Sequence, residues 1–179
     1  MPITINGSAG TITGVSAGGL PAGSVTSATL ASGVGGKIVQ VKYVTTGTNY
    51  TTGTSNTFTH MPAFDLAITP TSASNRLILN VSIAAETWHG SANGGPLHIG
   101  ITDDNGSSYL IERRFYPYRY DTGGIYKEGE LGIITDISAG STNARTYKIY
   151  HKASGSVSNT SINQESWDKS SFIIYEVAV

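Results

Sequence analysis

The chain contains no cysteine, so neither a disulfide nor a thiolate metal site can stabilise its fold. Charged side chains make up only 13% of the 179 residues, about half of the usual share. The formal net charge is -1, which gives no electrostatic basis for binding nucleic acid or an anionic membrane. We therefore expect neither of these as a partner.

Long apolar runs are also missing from the sequence. No run approaches the roughly 18 residues of a membrane span, and no basic stretch precedes an apolar segment as in a secretory signal. We expect no membrane insertion. We also expect synthesis in a cytoplasm and release by a route other than secretion.

Motifs for catalysis or metal binding are weak. The residues 103–106, Asp-Asp-Asn-Gly, lack the alternating acids and distal glutamate of a calcium loop, and no Gly-x-Ser-x-Gly nucleophile elbow occurs. The histidines have no metal-ligand spacing; they are His60, His89, His98 and His151. A glycosidase carboxylate pair stays open as an alternative; its candidates are Glu112, Glu128, Glu130 and Asp136. We expect no catalytic residues, no metal and no cofactor.

The first 36 residues differ from the rest of the chain. They hold no charged side chain, and isolated apolar residues are separated by Gly, Ser and Thr. Such a segment cannot bury enough apolar surface to offset its ordering entropy, so alone it would be disordered or extended. We interpret residues 1–36 as an extended anchor and trimerisation segment, and residues 37–179 as a folded head.

Three copies of the anchor could share a thin apolar core that one copy could not bury. The anchor is also expected to dock on other proteins. The residues expected in this core and in docking are Ile3, Ile5, Ile12, Val15, Leu20, Val25 and Leu30.

Strands dominate the head. Apolar and polar residues alternate with a period of two in Leu77, Leu79, Val81 and at residues 39–43, and no helical period of 3.6 is sustained. Eight strands are predicted, at residues 37–45, 56–68, 76–88, 97–103, 107–115, 125–137, 144–152 and 170–179. Eight strands joined by polar turns favour an all-β, antiparallel jelly-roll sandwich.

Several phrases resemble those of bacteriophage tail-fibre and related virion proteins. Residues 10–14 and 25–33 carry the Gly-Thr-Ile-Thr-Gly and Val-Thr-Ser-Ala-Thr-Leu-Ala-Ser-Gly phrases of their proximal parts. Residues 36–41 are similar to the opening of their C-terminal domains. Residues 66–79 are similar to an Ile-Thr-Pro turn that leads into an apolar strand, and residues 171–179 resemble their terminal strand with a single glutamate. Residues 86–137 match no such phrase.

The resemblance implies a homotrimer whose head is similar to the tumour necrosis factor and complement C1q fold. It also implies docking on other virion proteins of the tail, baseplate or capsid. The terminal run at residues 172–175 is apolar on both faces, as expected for a strand covered by its own sheet and by neighbouring subunits. A central strand of a monomer is the alternative.

A cluster of tyrosine and arginine is the main candidate ligand site. Such residues serve binding surfaces because Tyr provides a rigid face with a hydroxyl and Arg a planar fork of donors. The cluster predicts binding of a host surface polysaccharide by Arg114, Tyr116, Tyr118, Arg119, Tyr120 and Asp121. Packing on a strand face or at a subunit contact is the alternative. Trp88 and His89 form a second candidate, with a buried Trp beside an exposed His as the alternative.

Two functions follow from these features. In the first, the chain is a short tail fibre or receptor-binding tip that binds a host glycan through its head. In the second, it decorates or cements the capsid, or forms a head fibre. The Tyr-rich cluster favours the first function, and the shortness of the anchor favours the second. Both place the protein in the virion.

Overall fold

The computed structural model describes residues 4–6, 11–13, 37–52, 56–89, 96–115, 125–154 and 159–179. The chain divides into two units, Met1–Lys37 and Ile38–Val179. All strand pairs are antiparallel, and within the described residues the only helix is a single 3₁₀ turn. The predicted all-β class is therefore confirmed. No helix in this part of the chain has the length and apolar character needed to span a membrane.

The first unit contains a short hairpin. Strands β1 (Thr4–Asn6) and β2 (Thr11–Thr13) pair antiparallel, with Ile5 opposite Ile12. The remaining residues of the predicted anchor core lie outside the described residues; they are Ile3, Val15, Leu20, Val25 and Leu30. The anchor role of the whole set stays a prediction.

The second unit carries the remaining strands. They are β3 (Ile38–Thr46), β4 (Tyr50–Thr52), β5 (Thr59–His60), β6 (Leu66–Ile68), β7 (Arg76–His89), β8 (Leu97–Thr102), β9 (Ile111–Phe115), β10 (Ile125–Ser138), β11 (Arg145–Ala153), β12 (Asn159–Ile162) and β13 (Ser170–Val177).

The described strands of this unit form two sheets. In the six-stranded sheet, β10 pairs with β7 along its whole length, while β13 and β12 share the other side of β7. Strand β3 lies beyond β13, and β4 lies beyond β12. In the five-stranded sheet, β8 and then β9 lie on one side of β11, and β5 and β6 share its other side.

The core lies between the two sheets. The inward side chains of β7, Leu77, Leu79 and Val81 among them, are fully buried, and so are Leu97 and Ile99 of β8. Because side chains of a strand alternate between its faces, each sheet directs every second residue into this shared core. The predicted antiparallel β-sandwich is therefore present.

The strand predicted at residues 56–68 is interrupted. A 3₁₀ turn at Pro62–Phe64 separates β5 from β6. Proline has no N–H and cannot donate in a ladder, so it favours such a break. Phe64 enters the core at this turn. Alternation could not reveal β4 and β12, which were not predicted, because both are short and polar.

The strand predicted from residue 107 begins only at Ile111. Asp104 holds residues 103–108 as a turn, because its carboxylate accepts hydrogen bonds from Ser108 N at 3.1 Å and Ser108 Oγ at 2.6 Å. These bonds lower the pKa of Asp104. Asn105 and Gly106 have φ of 62° and 86°, which suits a tight hairpin. The predicted turn at residues 103–106 is thus confirmed, and it is longer than expected.

Glu176 joins the end of β13 to the loop before β7. Its side chain is fully buried, and Oε1 accepts hydrogen bonds from Thr71 N, Thr71 Oγ1 and Asn75 Nδ2, each at 2.7 Å. Gln40 Nε2 donates to Oε2 at 2.9 Å. Burial alone raises the pKa of Glu176, but these donors outweigh burial and lower it to about 2. The carboxylate of Glu176 therefore connects the terminal strand to the loop at the Ile-Thr-Pro turn through hydrogen bonds.

Candidate functional site

The outer face of the five-stranded sheet gathers polar side chains around His98. Strand β8 places His98 directly opposite Arg114 of β9 and Lys152 of β11. Glu112 and Ser154 lie two residues from these partners, and therefore on the same face. Ser154 continues the β11 ladder, since its N–H donates to Pro96 O at 3.1 Å. Three adjacent strands thus bring together residues that are far apart in sequence.

His98 is hydrogen-bonded through both ring nitrogens. Nδ1 lies 2.5 Å from Glu112 Oε1, and Nε2 lies 2.7 Å from Ser154 Oγ. The imidazole is 5% exposed, whereas the Glu112 side chain is 33% exposed. Lys152 Nζ lies 3.7 Å from Glu112 Oε1. The histidine is therefore held in one orientation between a carboxylate and a hydroxyl.

Electrostatics keep Glu112 ionised. Its hydrogen bond with His98 is the largest influence on its pKa, followed by burial, which raises the pKa, and by the charge of Lys152, which lowers it. The net effect lowers the pKa of Glu112 below its ordinary value. An ionised carboxylate only accepts hydrogen bonds, so Nδ1 of His98 carries the proton that is donated to it. The other ring nitrogen, Nε2, lies 2.7 Å from Ser154 Oγ and can share a hydrogen bond with that hydroxyl.

Aromatic rings line the same face. The Phe58 ring lies 4.3 Å from Tyr109 and, at a right angle, 6.5 Å from His98. Tyr150 stacks on His60 at 4.9 Å. Lys152 Nζ lies 4.1 Å above the Phe58 ring, in the range of a cation–π contact. We call Phe58, His60, Tyr109, Tyr150, His98, Glu112, Lys152 and Ser154 the aromatic-polar face.

Gly100 makes room for this arrangement. A Cβ at Gly100 would overlap the Tyr109 ring, so the ring lies directly against the backbone of β8. Burial raises the pKa of Tyr109. The sequence contained no motif for this face, because its residues meet only through strand register.

Of the predicted glycan cluster, Arg114 is described. Its side chain is 58% exposed, and its Nε lies 4.0 Å from Glu112 Oε1, so it borders the aromatic-polar face. The rest of the cluster lies outside the described residues: Tyr116, Tyr118, Arg119, Tyr120 and Asp121. Trp88 and His89 end strand β7, and their side chains also lie outside the described part. Ligand binding by these residues stays a prediction.

The other predicted candidates are dispersed. His60 Nε2 lies 2.6 Å from Asp65 Oδ1. Burial of His151 lowers its pKa to about 4. Glu112 is in the five-stranded sheet, whereas Glu130 and Asp136 are on β10 of the other sheet. Among the described residues no cluster of three or more His, Cys, Asp or Glu side chains could hold a metal ion.

The outer face of the six-stranded sheet carries several large apolar side chains alongside polar ones such as Asn80. In one row across β3, β13, β7 and β10, Tyr43 lies opposite Ile173, and Ile134 lies opposite Asn80. Tyr43 is 73% exposed and Ile134 69%. We call the apolar residues of this face the apolar stripe; they are Val39, Val41, Tyr43, Ile78, Ile134, Ile173 and Tyr175.

The alternation in β3 runs in the opposite sense to that in β7. Its apolar side chains Val39, Val41 and Tyr43 point away from the core, while Gln40 points inward toward Glu176. Pattern alone predicts the strand but not which of its faces is covered. Within one subunit, four side chains of the apolar stripe are exposed and the other three are half-buried, and exposed apolar patches of this kind are typical of association sites.

A cleft of about 270 Å³ lies farther along the six-stranded sheet. Ala84 and Gly129 form part of its wall, and Glu130, Asp168 and Lys169 provide charges. Trp167 also lines it and is 74% exposed.

No protein-family model matches the chain, and no curated protein sequence matches it. Among solved structures, the chain is similar to the crystal structure of the infectious bursal disease virus VP2 subviral particle, with a TM-score of 0.44 and 14% sequence identity. The match covers 78% of this chain and 32% of that chain. The chain thus spans about a third of the length of the VP2 chain that it matches.

Proposed function

We propose that this chain is a structural protein of a bacteriophage virion, a short tail fibre or receptor-binding tip. It attaches to the particle through its N-terminal unit, and its head binds a host surface glycan as a homotrimer. It has no enzymatic part in this role. The resemblance of its phrases to those of virion fibres supports the virion assignment.

The observation that carries the proposal is the apolar stripe. Side chains such as Tyr43 and Ile134 are largely exposed in one subunit. Covering them removes apolar surface from water, which stabilises an assembly by about 25 cal/mol per Å² of buried area. Within the stripe, β13 contributes Ile173 and Tyr175, which belong to the terminal run expected at a subunit contact. Copies of the same head are the partner that the stripe fits.

Glycan binding is assigned to the predicted cluster of tyrosine and arginine. Tyr118 and Tyr120 belong to the predicted cluster that follows Arg114 on β9. Tyrosine rings stack on the apolar faces of sugars, and Arg and Asp hydrogen-bond their hydroxyls. Each head would bind weakly, and three heads would convert weak binding into avidity.

Immunogold labelling of intact virions tests the location. Gold at the tail supports the fibre or receptor-binding tip. Gold over the capsid supports instead the decoration or head-fibre alternative, which shares the anchor and the trimeric head. Absence of the protein from purified particles contradicts both.

Binding of the fluorescently labelled full-length protein to host cells tests the glycan assignment. Replacing both Tyr118 and Tyr120 with Ala should weaken binding by roughly 1 to 3 kcal/mol per site while the melting temperature stays nearly unchanged. Trp167→Ala is the matched control, since it removes an exposed aromatic elsewhere. Loss of binding in the control alone would move the glycan site to the Trp167 cleft.

A further inference from the structure

The hydrogen-bonded chain through His98 has the order of a hydrolytic triad. Ser154 Oγ meets Nε2 at 2.7 Å, and Glu112 meets Nδ1 at 2.5 Å. In serine hydrolases the general base takes the serine proton on one nitrogen while a carboxylate holds the other. Both distances are within hydrogen-bond reach for a nucleophile, a base and its orienting group.

The three residues also differ in how far they are exposed to solvent. The imidazole of His98 is 5% exposed, so it is shielded from water and fixed in orientation. Ser154 is partly exposed at the end of β11, where a ligand can approach it. Phe58 provides an apolar wall 6.5 Å from the His98 ring.

We propose that Ser154, His98 and Glu112 form a serine acyl-hydrolase centre that cleaves carboxylic esters with a short acyl group. Ser154 is the nucleophile and His98 the general base. Glu112 is a positioning residue, because it acts through the imidazole. This activity goes beyond the proposed function and does not depend on it.

The reaction proceeds in two steps that need only the ester and water. Ser154 Oγ attacks the carbonyl carbon and its proton passes to His98 Nε2; the bond to the alkoxide breaks, and the alkoxide leaves as the alcohol with that proton. Water then attacks the acyl-serine and gives its proton to His98, and the serine oxygen recovers a proton as the carboxylic acid is released.

A fluorophosphonate probe applied to the wild-type full-length protein tests the nucleophile. We expect one covalent adduct per chain, which peptide mass mapping places on Ser154. Ser154→Ala should abolish labelling, and Ser141→Ala is the matched control because Ser141 Oγ accepts hydrogen bonds from Asn143 N and Arg145 Nη2. An adduct elsewhere, or none on folded wild-type protein, overturns the proposal. Because this result comes from the wild type, misfolding of a variant does not obscure it.

Hydrolysis of p-nitrophenyl acetate tests the roles of the other two residues. Ser154→Ala should lower the rate at least about 100-fold. Glu112→Gln should lower it about 10-fold or more and move the acidic limb of the pH–rate profile to lower pH, because the imidazole loses its neighbouring negative charge. Lys152 and Arg114 also face this imidazole from the adjacent strands and are unchanged in the variant. An unmoved profile, or wild-type turnover in Ser154→Ala, means that the three residues only stabilise the sheet.

Discussion

The outer faces of the two sheets differ in the side chains that they carry. On the five-stranded sheet, polar groups such as His98 and Glu112 bond to one another, and aromatic rings pack against the backbone. On the six-stranded sheet, large apolar side chains such as Tyr43 stand in solvent with nothing from the described residues over them. A face with internally satisfied polar groups is complete within one chain, whereas an exposed apolar face is completed by association.

The two faces flank one core and differ in how far side chains cover the backbone of their strands. Gly100 and Gly132 show this directly. Gly100 faces a ring that fills the space of a Cβ, while no atom lies within 4 Å of a Cβ at Gly132. One sandwich therefore has an outer face covered by side chains of its own chain and an outer face whose apolar side chains the described residues leave uncovered.

The largest effect is expected from charge in the apolar stripe. Tyr43→Asp together with Ile134→Asp should reduce the proposed homotrimer to a folded monomer, because a carboxylate would be buried without a partner at each contact. Light scattering should then give one 18.7 kDa subunit instead of three. Trp167→Asp is the control, as it is equally exposed but outside the stripe. Wild-type protein that is already monomeric would contradict the proposed association through the apolar stripe.

The next effect concerns Glu176, which stabilises the edge of the six-stranded sheet. Its folded pKa of about 2 is below the ordinary 4.5, so its contribution is complete above pH 4.5 and is lost as pH falls toward 2. Glu176→Gln should cost on the order of 3 kcal/mol at neutral pH, and this difference should shrink as pH falls from 4.5 through 2. Chemical denaturation of both proteins across this range measures the difference.

Protonation of buried His151 also destabilises the protein below its ordinary pKa of 6.5. It is common to both proteins and cancels in the comparison. A constant difference between wild type and Glu176→Gln at every pH would show that Glu176 stabilises the fold only by packing.

The smallest effect is expected from adding one methyl group to the outer face of each sheet. Gly100→Ala should destabilise the head by about 1 to 3 kcal/mol, because Tyr109 must move away from β8. Gly132→Ala should not destabilise the folded subunit, because its Cβ meets open space. Thermal unfolding of the two variants measures this, and equal melting temperatures would mean that Tyr109 does not cover its face.

The sequence predicted much of the fold because its signals are local. Period-two alternation located β3 and β7, and Asn105-Gly106 marked a hairpin whose backbone has positive φ. Short polar strands such as β12 were missed, since they pair with β4 and β7 without any apolar period. The glutamate of the terminal strand was visible as a phrase, but its bond to the Thr71 loop depends on residues about a hundred positions away.

By itself, the sequence determined the composition of the anchor, the strand-rich head and the turns between strands, because propensity and alternation act over a few neighbouring residues. Only the tertiary structure decided which side of β3 faces outward and which side chains meet His98. Those outcomes depend on the register of strands β8, β9 and β11 and on the sheet each strand joins. Register and sheet membership arise from long-range pairing, which brings Glu112 and Ser154 to one histidine although 42 positions separate them.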